Sequence, residues 1–475
     1  MKYFFETQIK TLHDCKNDKF VAGVPDYKHV IIDKIGRVVS GEYKTLEQRR
    51  DGFFEVSNDY TTVSLMNADG KIIIEGCRDI DEFSDDGIAL VKKPDGSKCW
   101  ITKEGYEFGK EYKDIGPFAG GYGAVMLEDG KWTYIDKNFK PAPVSFDKVG
   151  VFDEGYARVK VGEYQYVIDT EFQVVAGPFA GVLFKDKGIF AVHEVSPDNL
   201  KLPYAYYNDK GQKISKNYRM LHGFINGFSR VECEKGYNFI DEQGNELLVE
   251  PVMLAGNFGP RYAWVCKFDE NGEHIHSFID KQGRLVSDWY GMAGGAEDDK
   301  PFVLKGRRCF YLNEKGKPAG KGYYSLSMTS EGVAHFESSK DKYSFLYEDG
   351  SVSTEEFDHV GKFSSGMSVV RNNGEIDAVN EKQHKLSIIS RHASDIEREP
   401  LKVIRLIDEY ADDPETLEML CSHAIEVLDY ALLSSEYDGA AKAQFESDKK
   451  MIETLKLKTK SLIPEKTIVT TGWEW

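Results

Sequence analysis

The chain has 475 residues, 41% of them hydrophobic and 13% aromatic, with a formal net charge of −18. Such a composition describes a folded protein with ample core and excludes a disordered chain. The acidic balance argues against nucleic acid or an anionic membrane surface as partner, because there is no surplus of Lys and Arg to neutralise phosphates.

The opening residues, Met1 to Glu6, lack the apolar stretch of about 7–15 residues that a secretory signal needs. No apolar run approaches the roughly 20 residues that span a bilayer. Seven cysteines (Cys15, Cys77, Cys99, Cys233, Cys266, Cys309 and Cys421) are scattered, with no two at metal-ligand spacing. They read as reduced, mostly buried thiols. Together these features predict a cytoplasmic protein. The segment Lys2–Ile9 reads as a strand able to pair with the last repeat and close a ring.

From about residue 20 onward one phrase recurs: aromatic, aliphatic, Asp, Lys, any residue, Gly, as in Phe278-Ile279-Asp280-Lys281-Gln282-Gly283. Its Asp slot falls at Asp33, Asn67, Thr102, Asp136, Asp169, Asn208, Asp241, Asp280, Asn313, Tyr347 and Asn380, at intervals of 33 to 39 residues. A period of this size marks an array of supersecondary units. Each unit opens on a strand with period-two alternation, such as Lys131-Trp132-Thr133-Tyr134-Ile135-Asp136. A turn follows, where Asp or Asn accepts backbone hydrogen bonds two residues on and Gly supplies a positive φ. The third part is Phe-x-x-Gly-x-Ala-x-Val, as in Phe152 to Val159, with weaker copies at Phe224–Val231 and Phe363–Val370. Small residues at Ala89, Ala124, Ala157, Ala263 and Ala334 imply a face where a neighbouring backbone approaches closely. One such unit is too small to bury its own apolar residues, so the copies must stack.

Gly130-Lys131-Trp132-Thr133-Tyr134-Ile135-Asp136, followed by Phe152-Asp153-Glu154-Gly155-Tyr156-Ala157-Arg158-Val159, resembles the bacterial WG (KWG) repeat. The resemblance covers about residues 20–385. The copies are divergent: Thr133 stands where the family has the Gly of its Trp-Gly pair, and the Trp slot elsewhere holds Tyr204, Tyr237, His276, Cys309 or Tyr343. The resemblance implies a mainly β, propeller-like assembly of small blades, or an open β-array, with a binding role and no family-wide catalytic residue. About 34 residues hold three comfortable strands. The two 39-residue intervals carry insertions, around Glu194–Leu202 and Asp269–His274, that map to loops.

After Asn380 the pattern turns helical. Glu399-Pro400-Leu401 begins one helix, with Val403, Leu406, Ile407 and Tyr410 as its stripe. Asp413 caps a second that opens on Pro414, and a third runs from about Asp438 to Leu462. The expected organisation is a WG-repeat β domain over 1–385 with about eleven slots, a helical domain of about three helices over 386–463, and a tail over 464–475. That tail carries Trp473 and Trp475, without helix or strand signal.

Candidate chemistry is sparse. His274 and His276 near Cys266 read as a variable-loop pair rather than a metal site. Gly291-Met292-Ala293-Gly294-Gly295-Ala296 lacks the Lys-Ser/Thr of a phosphate loop and reads as a flexible inter-blade loop. Cys15 beside His13 has no orienting third group. The slot Asp residues cap turns rather than bind calcium, since each stands alone in its unit. Hence no catalytic residue, cofactor or metal ligand is assigned.

Aromatics remain: Tyr204, Tyr206 and Tyr207 beside an insertion, and Trp289 and Tyr290 beside a Gly-rich turn, are the candidate binding residues. The leading expectation is a non-enzymatic interaction or scaffold protein that binds a protein partner through its repeat surface. A hydrolase with carboxylates in a propeller funnel stays open, as does a carbohydrate-binding module using exposed aromatics such as Tyr206 and Trp289.

Overall fold

Neighbouring residues on the recurring strand point to opposite sides of a small sheet, and each side meets a different repeat. In the computed structural model, described for residues 2–186, 188–195, 203–297, 299–313, 315–327, 330–347, 350–435 and 437–463, the chain is mainly β. Its strands form eleven small antiparallel sheets among the described residues, one for each slot. Helices occupy the C-terminal end. Two compact units are present: Met1–Gln48, Asn67–Lys71 and Phe357–Trp475 form one, and Arg49–Met66 with Ile72–Glu356 the other.

The larger unit shows how the repeats cohere. Ile101, one residue before its slot, joins Leu65, Ile74, Ala89 and Cys99 in a core shared with the preceding sheet. Trp100, its neighbour, joins Ile115, Phe118, Val125 and Ile135 in a core shared with the following one. The alternation repeats with Ile168 and Val167, Ile240 and Phe239, and Ile279 and Phe278. Period two therefore buries both faces of each sheet, against two different neighbours.

The turn after each strand is set by side-chain chemistry. In ten of the eleven slots the Asp, Asn or Thr oxygen accepts from the backbone amides two and four residues on. At Asp136 these are Asn138 N at 2.8 Å and Lys140 N at 2.9 Å, and at Asp241 Gln243 N at 3.0 Å and Asn245 N at 2.8 Å. Tyr347 lacks such an oxygen, and its turn shows the backbone bonds Tyr347 N to Ser351 O and Gly350 N to Tyr347 O, each 3.0 Å. The residue three past the slot always has positive φ; it is Gly in eight copies and Phe139, Phe172 and Gln383 in the others.

Glycine there has a second reason. A Cβ on Gly244 would stand 1.7 Å from the Ile214 carbonyl oxygen, and one on Gly316 1.6 Å from that of Val286. Each of these carbonyls lies six residues past the preceding slot. In these copies the turn of one module is thus pressed onto the backbone of the module before it. Phe139 instead packs edge-on against Phe108 at 5.8 Å, filling the joint with a ring.

Beyond the turn the chain returns along its own sheet. Ile135 bridges Pro141 and Trp132 bridges Phe146; Ile279 bridges Leu285 and His276 bridges Tyr290. Elsewhere the return is a full edge strand, Val174–Phe179 or Pro318–Tyr323. The first strand of several modules carries a bulge, which frees a carbonyl from the ladder. The preceding module supplies its donor. Trp100 Nε1 donates to Gly116 O at 2.8 Å, Tyr134 Oη to Gly150 O at 2.7 Å, and Tyr206 Oη to His222 O.

In the smaller unit the first and last sheets share one core of Phe20, Ala22, Ile32, Met367, Val369 and Ala378. The segment expected as an N-terminal strand is different: Phe4–Glu6 is a 3₁₀ turn, and Tyr3 bridges Arg37 of the first repeat rather than the last. The reason lies in its aromatics, which enter the helical core: Tyr3 packs with Ile389, Ala393 and Leu420. That core is made by α1 (Leu386–Arg398), a 3₁₀ stretch (Pro400–Leu406), α2 (Pro414–Leu433) and α3 (Gly439–Lys460). The helix expected to begin at Glu399 is the 3₁₀ stretch, and α1 precedes it. Asp413 caps α2, accepting from Thr416 N at 3.1 Å, and its other oxygen takes Asn380 Nδ2 at 2.5 Å and His384 Nδ1 at 2.8 Å. The last repeat slot is thereby tied to a helix start. The tail with Trp473 and Trp475 lies outside the described residues, as do Glu314 and most of the Glu194–Leu202 insertion.

A partly buried polar network also ties the first turn to the helices. Arg37 bonds Asp33 Oδ2 through Nε at 2.7 Å, and through Nη1 it reaches Glu426 at 2.7 Å and His423 Nδ1 at 3.3 Å. His423 Nε2 faces Ala393 O at 3.1 Å and Tyr3 Oη at 3.2 Å, and Tyr3 Oη donates to Glu397 at 2.9 Å. This geometry requires neutral imidazole, with Nε2–H donating to the carbonyl and Nδ1 accepting from Arg37. Burial, then Arg37, hold the His423 pKa below its ordinary value.

Three measurements check these points. Gly244→Ala should lower the denaturation midpoint well beyond Gly130→Ala. The latter has positive φ but open space and should cost about 1–2 kcal/mol. Tyr134→Phe should cost about 1–3 kcal/mol by orphaning the Gly150 carbonyl, read as a drop in Tm. Because the folded His423 pKa is depressed, its stabilising effect is complete above about pH 6.5 and is lost as pH falls below it. Unfolding free energy should decline from pH 7 to 5 more steeply in the native chain than in His423→Gln.

Candidate functional site

The sequence candidates separate into buried and accessible ones. Tyr206 is wholly buried and bonds His222 O and, at 2.6 Å, Ser229 Oγ. This corrects its expected role: its ring belongs to the core shared with the next module and cannot stack on a ligand. Tyr204 is half-buried, its backbone bridged to Tyr218 and its ring 5.3 Å from His193. Tyr207 turns to the preceding module, 4.9 Å from Phe179, and donates to Glu194 at 2.5 Å. Burial, then Glu194, push its phenol pKa up. Glu194 also takes Lys213 at 2.9 Å and Asn217 at 2.6 Å.

Trp289 and Tyr290 line a cleft. The Asp280 turn sends the chain back along its own sheet, where Tyr290 and His276 exchange backbone bonds of 2.7 and 2.8 Å. Ser287 holds the stretch between, accepting from Phe278 N at 3.1 Å and donating to Asp288 O at 2.9 Å. Tyr290 is 8% exposed and packs with Phe278 and Val303. Trp289 is half-buried against the neighbouring core. The Lys267 ammonium stands 4.3 Å from its ring centroid, a cation–π pair.

Asp288–Gly291 form one wall of the cleft; Leu304, Lys305, Gly306, Lys317 and Pro318 form the other, around a volume of about 570 Å³. Lys317 Nζ meets Asp288 at 2.6 Å, an exposed pair that holds the Lys317 pKa up. Lys305 is exposed at a hairpin tip. The lining carries two lysines, Lys305 and Lys317, against one carboxylate, Asp288. A second cleft, of about 490 Å³, is lined by Trp132, Pro117, Val149, Val151 and Arg158.

The other sequence candidates settle into structure. The run Gly291–Ala296, expected as a loop, contains the strand Met292–Gly294 paired with Phe302–Leu304. A Cβ on Gly294 would lie 2.7 Å from the Phe302 ring, which explains the glycine. His274 meets Phe268 edge-on at 5.0 Å and His276 meets Trp264 edge-on at 5.7 Å, and Cys15 is buried. Among the described residues no group of three or more His, Cys, Asp or Glu is placed to hold a metal. None of their helices is long and apolar enough to cross a membrane. Sequence reasoning missed Lys267 and Lys305; the legible signal was an excess of Lys and Arg between 300 and 321 in an acidic chain.

Three segments, residues 64–96, 109–132 and 132–164, match the model of the WG containing repeat. No curated protein matches the chain. Among solved structures it is similar to PorZ, a surface component of the type-IX secretion system of Porphyromonas gingivalis, with 11% identity and a TM-score of 0.24 over 78% of this chain and 66% of that one. It is also similar to the extracellular domain of a putative hybrid two component system from B. thetaiotaomicron, with 9% identity and a TM-score of 0.22 over 79% of this chain and 63% of that one. The WD40 domain of SCAP from fission yeast gives 8% identity and a TM-score of 0.26 over 79% and 95%. The chain spans less than two thirds of the length of the first two, and TM-scores this low do not establish a common overall arrangement. The three adjacent matches fall on the same strand-and-turn pattern that recurs from Asp33 to Asn380, so the chain carries WG-type repeats over residues 64–164 within a longer array of similar modules.

Proposed function

We propose that this chain is a non-enzymatic interaction protein that binds a protein partner through its repeat surface, with the Trp289 cleft as the contact. The array of about residues 1–385 carries the surface, and the helical segment of 386–463 braces it. The reading is supported chiefly by one observation: a half-buried tryptophan in the wall of a cleft, on the return segment that follows the repeat turn. Tryptophan in a partly desolvated recess is the residue type that dominates binding at protein interfaces. Seven free cysteines, mostly buried, accord with a cytoplasmic setting.

Affinity purification of the tagged chain at native level, in parallel with Trp289→Ala, tests this. Trp289 contributes only partly to the core, so the variant should stay folded while a specific partner is lost. A truncated hot-spot tryptophan costs about 2 kcal/mol or more, roughly thirtyfold in affinity. A partner retained equally by the variant would contradict the assignment of the cleft; no partner at all would contradict the function.

A further inference from the structure

The charge around the Trp289 cleft runs against that of the whole molecule. Between residues 300 and 321 the chain carries seven Lys or Arg and a single carboxylate residue, Glu314, in a protein of net charge −18. One of these, Lys317, is paired with Asp288 across the cleft. Lys305, on the cleft wall, and Arg307, beside it at the hairpin tip, have no carboxylate partner among the described residues. Lys267 stands 4.3 Å from the Trp289 ring centroid and has no carboxylate partner among the described residues, and a cation held over an indole keeps its outer side for an anion. An acidic protein that gathers unpaired cations around one aromatic cleft holds a local positive potential there, at the cost of surface ion pairs worth little in themselves.

We infer that the Trp289 cleft takes a short acidic peptide segment of a partner protein, its carboxylates meeting Lys305 and Lys267 and an apolar side chain resting on Trp289. This rests on the proposed function and names the partner's chemistry. The length of the ligand follows from screening. At physiological ionic strength charges further than about 8 Å are largely screened, so a short acidic segment meets the local cations. A long polyanion such as nucleic acid would extend over the acidic remainder of the surface and be repelled.

The test uses the full chain and a fluorescein-labelled peptide of alternating Glu and Gly with one central Phe, read by fluorescence anisotropy. Binding should fall about tenfold or more in the double variant Lys267→Glu/Lys305→Glu, and should weaken as salt rises. A Lys-for-Glu version of the peptide should not bind. Both lysines are exposed, so the variant should remain folded with at most a small drop in its unfolding midpoint; Lys305→Gln alone should give an intermediate loss. Absence of peptide binding at millimolar concentration, binding equal in the double variant, or tighter binding of a single-stranded oligonucleotide would each overturn the inference. The two readings fail differently. A partner lost on Trp289→Ala but retained by Lys267→Glu/Lys305→Glu leaves the proposed function standing and removes the acidic ligand.

Discussion

The close seating of one module's turn on the backbone of the module before it is the constraint on which the rest of this structure depends. An Asp or Asn oxygen folds the turn by accepting two amides, and in copies such as Gly70, Gly244 and Gly316 a glycine at positive φ lets it touch a carbonyl that a Cβ would strike. Once the turn is seated, the strand leading into it is fixed in register. Its last two residues then have no choice of side: one faces back and the next faces forward. The spacing of the repeat is therefore a property of the joint as well as of the single unit. Sequence drift elsewhere is tolerated, which explains how Thr133 can replace the glycine of a Trp-Gly pair without loss of the sheet.

The second consequence concerns polar groups. Bulges in the first strands free carbonyls in places where water is excluded, and a buried unpaired carbonyl is costly. The aromatic side chain two residues before the slot solves this when it carries a donor, as Trp100 and Tyr134 do. The same position is Phe239 or Phe278 where other groups serve; Arg230 Nη1, for example, donates to Ala255 O at 2.7 Å. Aromatic choice along the repeat is thus partly a record of which neighbour's carbonyl needs a donor. That is why Tyr206, a binding candidate on sequence grounds, is a structural residue.

Much of this was legible in the sequence. The slot, its cap, the positive-φ glycine and the alternation of Tyr134 with Ile135 all follow from period and residue chemistry. The helix start at Asp413 was readable from its following proline. Three things were not. Local patterning at Lys2–Ile9 is ambiguous, and the tertiary demand of Tyr3 for the helical core decided it. The stripe Leu386, Ile389, Ala393 and Ile396 has helical spacing, yet it follows a repeat turn so closely that no loop signal separates them. The Gly291–Ala296 run reads as loop because glycine weakens strand propensity, whereas in the fold it makes room for Phe302. The cleft itself was half visible: Trp289 and Tyr290 stood out, but which lysines share their surroundings is set by the return segment and by a hairpin of the next module.

The central claim is that adjacent modules stabilise one another rather than standing independently, and a double-mutant cycle across one joint measures it directly. Tyr134 and Phe152 come from successive modules, with ring centroids 4.8 Å apart in one core. Replacing each by Ala, singly and together, should reveal a coupling of about 0.5–3 kcal/mol in unfolding free energy. Strict additivity of the two losses would mean that the modules do not depend on each other across that joint, and would contradict mutual stabilisation as the basis of the array.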